Sequence, residues 1–308
     1  MTLSLASVTS SGIVLTADSR QTYVNNARMT KIGTDNAVKV FQLSKNVGMV
    51  ISGRAFFKDS KDVLKDTGWF VDQFRKTIPK NNSWSVRQIA EKLNEYFVKI
   101  YVEPEAQRIQ DDLNTQIIAQ GGTNPKFDRD KLTIKYTFTD KDGKVINNSF
   151  IIDAIHCIVA GYDNDEVGKA YLTMVPDGPS IERNTESGGP LWIGQTDIVG
   201  RVIKGHGWEI NQLGFVSSAK AAGQNIDAEL AKLEYIINWG TMTLQDAIDL
   251  CILLTRMTES IQRFSDGTVM YPGGITGVGG HINVATITPL GGFKWIDKKE
   301  LKAEEPKQ

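Results

Sequence analysis

Thr2 directly follows Met1, and its small side chain is of the kind that methionine aminopeptidase accepts. Removal of Met1 would leave a threonine with a free α-amino group. A threonine hydroxyl is a weak nucleophile that needs an adjacent base. An α-amino group, with an ordinary pKa of about 7.7–8.0, can act as that base near neutral pH. Many proteins carry a small second residue without catalytic purpose, so Thr2 alone does not identify an enzyme.

Three further positions suit the same chemistry. A Lys39 ammonium near Thr2 would stabilise the developing alkoxide and lower the pKa of the amine. Asp18 would keep Lys39 charged and oriented. The backbone N–H of Gly53, with no Cβ beside it, would bind the oxyanion of a tetrahedral intermediate. Taken singly, Asp18 or Lys39 is more often a surface or ion-paired residue, and Gly53 equally suits a tight turn.

The composition argues against several other chemistries. Thirty-five basic and thirty-six acidic residues give a net charge of -1, which offers no field for nucleic acid or anionic lipid. Two cysteines, Cys157 and Cys251, are too few for a disulfide framework or a cysteine-rich zinc site. Three histidines leave few candidates for Ser-His-Asp or metal chemistry. We therefore expect no metal, no cofactor and no nucleic-acid partner.

The first residues and the hydropathy pattern indicate where in the cell the protein is expected. The stretch MTLSLASVTSSG has no base and is rich in Ser and Thr, unlike a secretory signal. No window reaches the roughly eighteen consecutive apolar residues that a membrane span needs. We expect a cytoplasmic protein without a membrane partner. The G-x-S-x-G, P-loop and H-E-x-x-H motifs are also absent.

Apolar periodicity predicts the order strands, two helices, strands, two helices, strands. Strands are predicted at 3–7, 12–17, 37–43, 47–53, 154–161, 169–175 and 281–289, with a hairpin formed by 131–139 and 144–152. Helices are predicted from Asp59 or Ser60 to Pro79, from Ser85 to Gln120 with a kink at Pro104, over 198–203, over 227–239 and after a Thr243 cap. Segregated runs of this kind favour a layered α+β domain with helices covering stacked antiparallel sheets.

Around the candidate residues, the sequence resembles the β-type subunits of the 20S proteasome and their bacterial relatives, the N-terminal-nucleophile hydrolases. The stretches TLSLA…GIVLTADSR and KVFQLSKNVGMVISG carry the resemblance, which covers roughly residues 1–80 and returns at 157–178, 193–200, 244–263 and 279–288. It implies a four-layer αββα sandwich, in which helices flank two stacked antiparallel sheets. It also implies a threonine-type peptidase with Thr2 as nucleophile.

The resemblance assigns further residues. It implies catalytic roles at Thr2, Asp18, Arg20, Lys39 and Gly53, and a substrate-specificity pocket lined by Gln21, Ile51 and Ala55. Arg20 is as suited to bracing the strand turn as to touching substrate. The acidic residue that the family has after its long helix would be Asp266. Where the family has a serine, near the start of the helix after Ile193-Gly194, this chain has Gln195-Thr196-Asp197.

The chain of 308 residues is longer than common family members, with the excess near 104–148 and 205–240. We expect one domain over 1–295 that contains these insertions, followed by a charged tail over 296–308. Family members work as rings, so the resemblance implies a ring-forming homo-oligomer acting on peptides or unfolded proteins; whether an ATPase partner feeds it is left open. Two alternatives also stay open: a non-catalytic scaffold or gating subunit, and a small-molecule amidase on the same fold.

Overall fold

A computed structural model describes residues 2–25, 29–80, 83–118, 122–164, 166–269 and 276–300. The predictions that concern Met1, residues 271–275 of the glycine-rich segment and residues 301–308 of the tail lie outside these ranges. Within them, none of the helices combines the length and the apolar character that a membrane crossing requires.

Strands account for much of the described chain. They are β1 Leu3–Thr9, β2 Gly12–Asp18, β3 Gln21–Val24, β4 Thr30–Thr34, β5 Val40–Gln42, β6 Val47–Ser52, β7 Phe56–Lys58, β8 Leu64–Asp66, β9 Lys126–Asp128, β10 Thr133–Thr139, β11 Val145–Ile151, β12 Ile155–Tyr162, β13 Gly168–Val175, β14 Gly178–Asn184, β15 Gly189–Gly194, β16 Ile282–Thr288 and β17 Gly292–Asp297. The α-helices are α1 Thr67–Arg75, α2 Val86–Phe97, α3 Glu103–Ile118, α4 Asp197–Lys204, α5 Gly214–Ala221, α6 Ile226–Ala231 and α7 Leu244–Phe264. A π-helical turn, Val98–Val102, joins α2 to α3.

Two five-stranded sheets contain the longest strands. The N-terminal sheet has the order β15-β1-β2-β16-β17, and the second sheet has the order β14-β13-β12-β6-β5. All neighbouring strands in both sheets are antiparallel. The mixed fold with antiparallel sheets and helices that the apolar pattern predicts is therefore confirmed. Smaller sheets are formed by β11-β10-β9, β3-β4 and β7-β8.

Strand alternation divides the buried side chains into three clusters. One cluster joins the two large sheets and includes Ala6, Leu15 and Ile158. Leu3 and Leu5, which lie on the opposite face of β1 from Ala6, belong to a second cluster that they share with α4 and α7. A third cluster joins the second sheet to α1, α2 and α3. Each large sheet thus shares one set of side chains with the other sheet and one set with helices.

Two helix starts follow the predicted capping chemistry. Ser85 precedes α2, where its hydroxyl accepts from the backbone N–H of Gln88 while the Gln88 side chain accepts from the backbone N–H of Ser85. Thr243 and Asp246 form the same reciprocal capping box at α7. The predicted helix start near Ser85 and the predicted Thr243 cap are confirmed, and the S/T-x-x-acceptor pattern satisfies two backbone donors that a helix start leaves open.

The predicted start of the first helix at Asp59 or Ser60 is wrong. Asp59 instead accepts from the backbone N–H groups of Lys61 and Val63, which closes the turn between β7 and β8. The helix begins eight residues later, where the Asp66 carboxylate accepts from the backbone N–H of Trp69. Val63 and Leu64, which lie inside the predicted helix, are exposed; Val63 ends the turn and Leu64 begins β8. The helix predicted over 227–239 is also too long, since α6 ends at Ala231.

Candidate active site

Asp18 and Lys39 form a buried ion pair where β2 ends and β5 is about to begin. The Asp18 side chain is fully buried, and Lys39 Nζ lies 2.8 Å from its Oδ1. Lys39 Nζ also donates to the carbonyl oxygen of Arg20 at 2.6 Å. A buried charge is stable only when it is paired and hydrogen-bonded. The two strand ends are therefore held together by a polar contact inside the protein.

Asp18 accepts four hydrogen bonds. Oδ1 accepts from Lys39 Nζ and from the backbone N–H of Leu3 at 3.0 Å. Oδ2 accepts from the backbone N–H groups of Arg20 and Gly279, both at 3.1 Å. A carboxylate with two oxygens offers about four acceptor sites, so this group is saturated. It ties Lys39 to the residue next to Thr2 and to the segment that leads into β16.

Burial lowers the pKa of the Lys39 ammonium, and the Coulomb attraction of Asp18 opposes this effect. Desolvation disfavours the charged form of lysine, while a carboxylate in contact favours it. The Lys39 ammonium thus pairs with Asp18 in a place where few water molecules compete for it. Such a group interacts more strongly with a developing negative charge than an exposed lysine does.

Thr2 is buried, with 7% of its surface exposed. Its carbonyl oxygen accepts from the backbone N–H of Gln195 at 2.6 Å. Alternation along β1 puts the Thr2 side chain on the same side as Ser4, whose hydroxyl donates across to the carbonyl oxygen of Ile51 in the second sheet. Thr2 therefore lies at the end of β1 on the side that faces β6, and β6 ends directly before Gly53.

Gly53 has a φ of 115°, a left-handed conformation that residues with a Cβ rarely adopt. An added Cβ would also collide with the carbonyl oxygen of Ala154. Lys39 and Gly53 are coupled through the backbone, because the N–H of Ile51 donates to the Lys39 carbonyl oxygen. Glycine is required at this position for the turn itself, and it leaves the backbone open on the side away from Ala154.

We expect Gly53→Ala to lower the free energy of unfolding by more than about 3 kcal/mol, since backbone strain and a clash with main chain add together. Gly143→Ala is the matched control. Gly143 also has a positive φ, of 78°, but nothing lies within 4 Å of an added Cβ. Strain alone should cost that variant about 1–2 kcal/mol. Urea unfolding of both variants measures the difference, and equal losses would contradict the predicted clash.

Arg20 braces the neighbouring loops. Its guanidinium donates to both carboxylate oxygens of Asp35, at 2.8 and 3.0 Å, and to the carbonyl oxygen of Thr276 at 3.3 Å. Its backbone N–H donates to the carbonyl oxygen of Gly279 at 2.9 Å. The hydrogen bonds from Arg20 hold the pKa of the Asp35 carboxyl below its usual range. Of the two roles that suit Arg20 by sequence, bracing is the one these contacts describe.

The other residues assigned by resemblance lie at different depths. Gln21 is half-buried at the start of β3, and Ala55 is half-buried with its carbonyl oxygen bonded to the backbone N–H of Thr67. The Ile51 side chain packs in the cluster between the second sheet and the helices. Asp266 is exposed two residues beyond α7, and within the described ranges no hydrogen bond joins it to Asp18 or Lys39. Their roles stay predictions.

Two paired glutamines, one of which contacts Thr2, belong to the site, and sequence patterns do not reveal their pairing. Gln195 follows β15 and contacts the Thr2 carbonyl oxygen through its backbone. Its side-chain oxygen accepts from Nε2 of Gln262 on α7, at 3.2 Å. The two residues are 67 positions apart in the chain. A sequence signal exists only for Gln195, which stands where the resembling family has a serine.

Other reactive side chains are inert or outside this cluster. Cys157 and Cys251 are buried, and burial raises the pKa of both thiols, so that neither is a ready nucleophile. His156 lies opposite Ser52 on β12, and burial lowers its pKa. In the described part of the chain, no three His, Cys, Asp or Glu side chains gather in a way that would hold a metal ion.

Comparison with known proteins gives one kind of match. No family model matches the chain, and no curated protein matches it. Among solved structures, the chain is similar to Anbu (ancestral beta-subunit) from Yersinia bercovieri, with 14% sequence identity and a TM-score of 0.45. The match covers 96% of this chain and 86% of that one. Because both values are low, we base the function on the residue types and contacts of this chain.

Proposed function

We propose that this protein is a threonine-type amide hydrolase of the N-terminal-nucleophile class, with Thr2 as the nucleophile after removal of Met1. The observation that carries the proposal is the buried Asp18–Lys39 pair, in which Asp18 also accepts from the backbone N–H of Leu3. A buried lysine is costly to keep. Asp18 bonds both to this lysine and to the backbone N–H of the residue that follows Thr2, which is the kind of arrangement that an amine-activated hydroxyl requires.

The proposed reaction has two stages. The Thr2 amine takes the proton of Oγ1 as Oγ1 attacks the substrate carbonyl carbon, and the Gly53 backbone N–H binds the resulting oxyanion. Collapse breaks the C–N bond, and the leaving amine takes the proton from the Thr2 amine, which leaves an ester on Oγ1. Water then attacks this ester with the Thr2 amine as base, which releases the acid and restores the hydroxyl. Lys39 stabilises the alkoxide in both stages.

The proposal includes the layered form of the fold. We infer that the two large sheets are stacked, with α1–α3 outside one sheet and α4 and α7 outside the other, as an αββα sandwich. The support is the partition of apolar side chains, since Ala6 and Ile158 share one cluster whereas Leu3 and Val199 share another. In this arrangement Thr2 lies at the edge of the interface between the sheets, where a substrate chain can reach it.

The proposed substrates are peptides or unfolded proteins, and the proposed assembly is a cytoplasmic ring of identical chains. Large apolar side chains exposed on and near the segment 205–240 support an assembled state. Examples within the segment are Phe215 (69% exposed), Tyr235 (70%) and Ile236 (101%). Exposed apolar side chains in such number are a feature of surfaces that bind other proteins.

The proposal is tested by intact mass together with an electrophilic probe. We expect the purified protein to lack Met1, to run as an oligomer, and to react once per chain with a peptide epoxyketone, with the adduct mapping to Thr2. An active protein that retains Met1 would contradict the mechanism. An adduct at another residue would contradict the choice of nucleophile.

A non-catalytic scaffold is the second candidate, and one observation favours it. The resemblance leads us to expect a serine after Ile193-Gly194, but the residue that contacts Thr2 there is Gln195, whose side chain bonds to a second neutral amide, Gln262. A scaffold would have a processed N-terminus but would not react with the epoxyketone. A small-molecule amidase would react, and would hydrolyse short amides while leaving peptides intact.

A further inference from the structure

The Gln262 side chain is the centre of a small polar network. Its Oε1 accepts from the backbone N–H groups of Gly277 and Val278, each at 3.0 Å. Its Nε2 donates to Oε1 of Gln195 at 3.2 Å. The next residue in that segment, Gly279, donates its backbone N–H to Asp18. Gln262 therefore links the residue that holds the Thr2 carbonyl to the segment that holds the candidate catalytic carboxylate.

The direction of both amide groups follows from the chemistry of their partners. A backbone N–H only donates, so the Gln262 atom that faces Gly277 and Val278 must be its oxygen. The other Gln262 atom is then the nitrogen, which donates, and the Gln195 atom that faces it must be an oxygen. The side-chain Nε2 of Gln195 is left to donate elsewhere. The backbone N–H of the same residue bonds to the Thr2 carbonyl oxygen, so this donor is carried by a residue in direct contact with Thr2.

We propose that Gln262 is a positioning residue that sets the direction of the Gln195 side-chain amide beside Thr2, so that this wall of the site presents an N–H donor and carries no charge. The inference rests on the proposed function, because it concerns the surroundings of the Thr2 amine. A donor there would hold a substrate carbonyl or the reacting oxygen, whereas an acceptor would repel both. With no charge on this wall, the Asp18–Lys39 pair is the charged group that Asp18 joins to the residue next to Thr2.

Exposed Arg263 follows Gln262 on α7 and lies over the Phe264 ring, and Asp197 begins α4 two residues after Gln195. The other charged groups around this network lie on other elements or on another turn of α7. Asp18 and Lys39 neutralise each other, and Arg20 is paired with Asp35. Glu259, one turn before Gln262, is paired with Arg256. His156 faces the end of β6 from β12, and burial lowers its pKa. A new carboxylate at position 262 would therefore be an unpaired charge close to Thr2.

The test uses Gln262→Glu with Gln245→Glu as the matched control. A glutamate at 262 still accepts from Gly277 and Val278, but its second oxygen cannot donate, so Gln195 must reverse its amide. Gln245 lies in the first turn of the same helix, is exposed, and takes the same added charge far from the site. The readouts are the rate of epoxyketone labelling against pH and the side-chain amide signal of Gln195 in a 15N–1H NMR spectrum.

We expect Gln262→Glu to slow labelling at pH 7 by about tenfold and to move the rate profile about one pH unit upward, because a nearby carboxylate raises the pKa of an amine. Gln245→Glu should label like the unmodified sequence. The Gln195 amide signal should shift in the first variant alone. Identical pH profiles and an unshifted Gln195 signal in Gln262→Glu would overturn the inference.

The two proposals fail in different ways. If the unmodified protein does not label at Thr2, the proposed function is wrong, and the Gln195 signal still decides whether Gln262 sets the direction of its neighbour. Gln262→Leu distinguishes the role of Gln262 in directing the Gln195 amide from its role in holding the backbone of Gly277 and Val278. It removes the acceptor for Gly277 and Val278, so backbone hydrogen exchange at 277–279 should rise at least about tenfold there but not in Gln262→Glu. Equal exchange in both variants would contradict the network.

Discussion

A Thr2→Ala variant is expected to lose amide hydrolysis by about 10³-fold or more, because no other group can form the ester intermediate. Thr2→Ser should keep activity within about 100-fold, since a serine has the same hydroxyl and the same terminal amine. Initial rates on a fluorogenic peptide measure both effects. Alanine and serine are as small as threonine, so removal of Met1 should proceed in all three proteins and can be checked by intact mass.

The comparison depends on a folded variant. Thr2 is buried but lies outside β1, and its backbone contact with Gln195 does not involve the side chain. We therefore expect Thr2→Ala to change the free energy of unfolding by about 1 kcal/mol or less. Ser10→Ala, in the exposed turn between β1 and β2, serves as a control for preparation. A folded Thr2→Ala protein with unreduced activity would place the nucleophile elsewhere.

The strands that end at the site were predictable because of their burial. Residues of β1, β2 and β6 are buried on both faces, so their sequences are near-continuous runs of apolar and small residues rather than alternating ones. The strands predicted at 3–7, 12–17 and 47–53 therefore agree with β1, β2 and β6 to within two residues. The strand predicted at 37–43 begins three residues too early, because β5 starts at Val40, directly after Lys39.

The contact between these residues could not be derived from local patterns. Asp18 ends a strand of the N-terminal sheet, whereas Lys39 precedes a strand of the second sheet. Their meeting depends on how the two sheets are placed relative to each other. Only the resemblance to a known family brought them together at the level of sequence.

Polar partners supplied by distant segments were missed for the same reason. Asp35, which pairs with Arg20, lies in a polar stretch where β3 and β4 were not predicted. In the sequence, Gln262 is one more polar residue on an amphipathic helix, and only its contact with Gln195 in the structure indicates its role. Hydrogen bonds of single side chains leave no periodic trace in a sequence, whereas apolar faces do.

Substitutions at Asp18 and Lys39 are expected to separate stability from activity. Asp18→Asn should lower the free energy of unfolding by about 3–5 kcal/mol, because an amide nitrogen cannot accept a hydrogen bond. If the nitrogen takes the place of Oδ2, the backbone N–H groups of Arg20 and Gly279 lose their acceptor. If it takes the place of Oδ1, Leu3 and Lys39 lose theirs. Neither orientation satisfies all the donors.

Lys39→Met should cost less stability, about 1–2 kcal/mol, because Asp18 keeps three backbone donors that stabilise a carboxylate. The pH dependence of stability also indicates that the Lys39 charge itself contributes little to folding. Lys39 binds its proton less tightly in the folded than in the unfolded protein, so its charge opposes folding fully below the folded pKa. That penalty fades as the pH rises from the folded pKa toward the unfolded value of 10.5.

Lys39→Met should reduce activity strongly although its cost in stability is small. Lys39→Met removes the cation that stabilises the alkoxide, so hydrolysis should fall by about 10²–10³-fold in a protein that remains folded. Lys135→Met is the matched control, since Lys135 forms an exposed pair with Asp128 at 3.1 Å. It should leave the rate of hydrolysis unchanged and change the free energy of unfolding by no more than about 0.5 kcal/mol. Urea unfolding and peptide hydrolysis of the same preparations measure the contrast.

The double variant Asp18→Asn/Lys39→Met decides whether the pair acts as one unit in catalysis. If the carboxylate works only by holding the ammonium, removing it from a protein that already lacks Lys39 should reduce hydrolysis no further, and the losses should be strongly non-additive. Asp18 also accepts from the backbone beside Thr2, so its stability cost should persist in the double variant. Additive losses of activity would mean that Asp18 acts on Thr2 through the N-terminal strand rather than through Lys39.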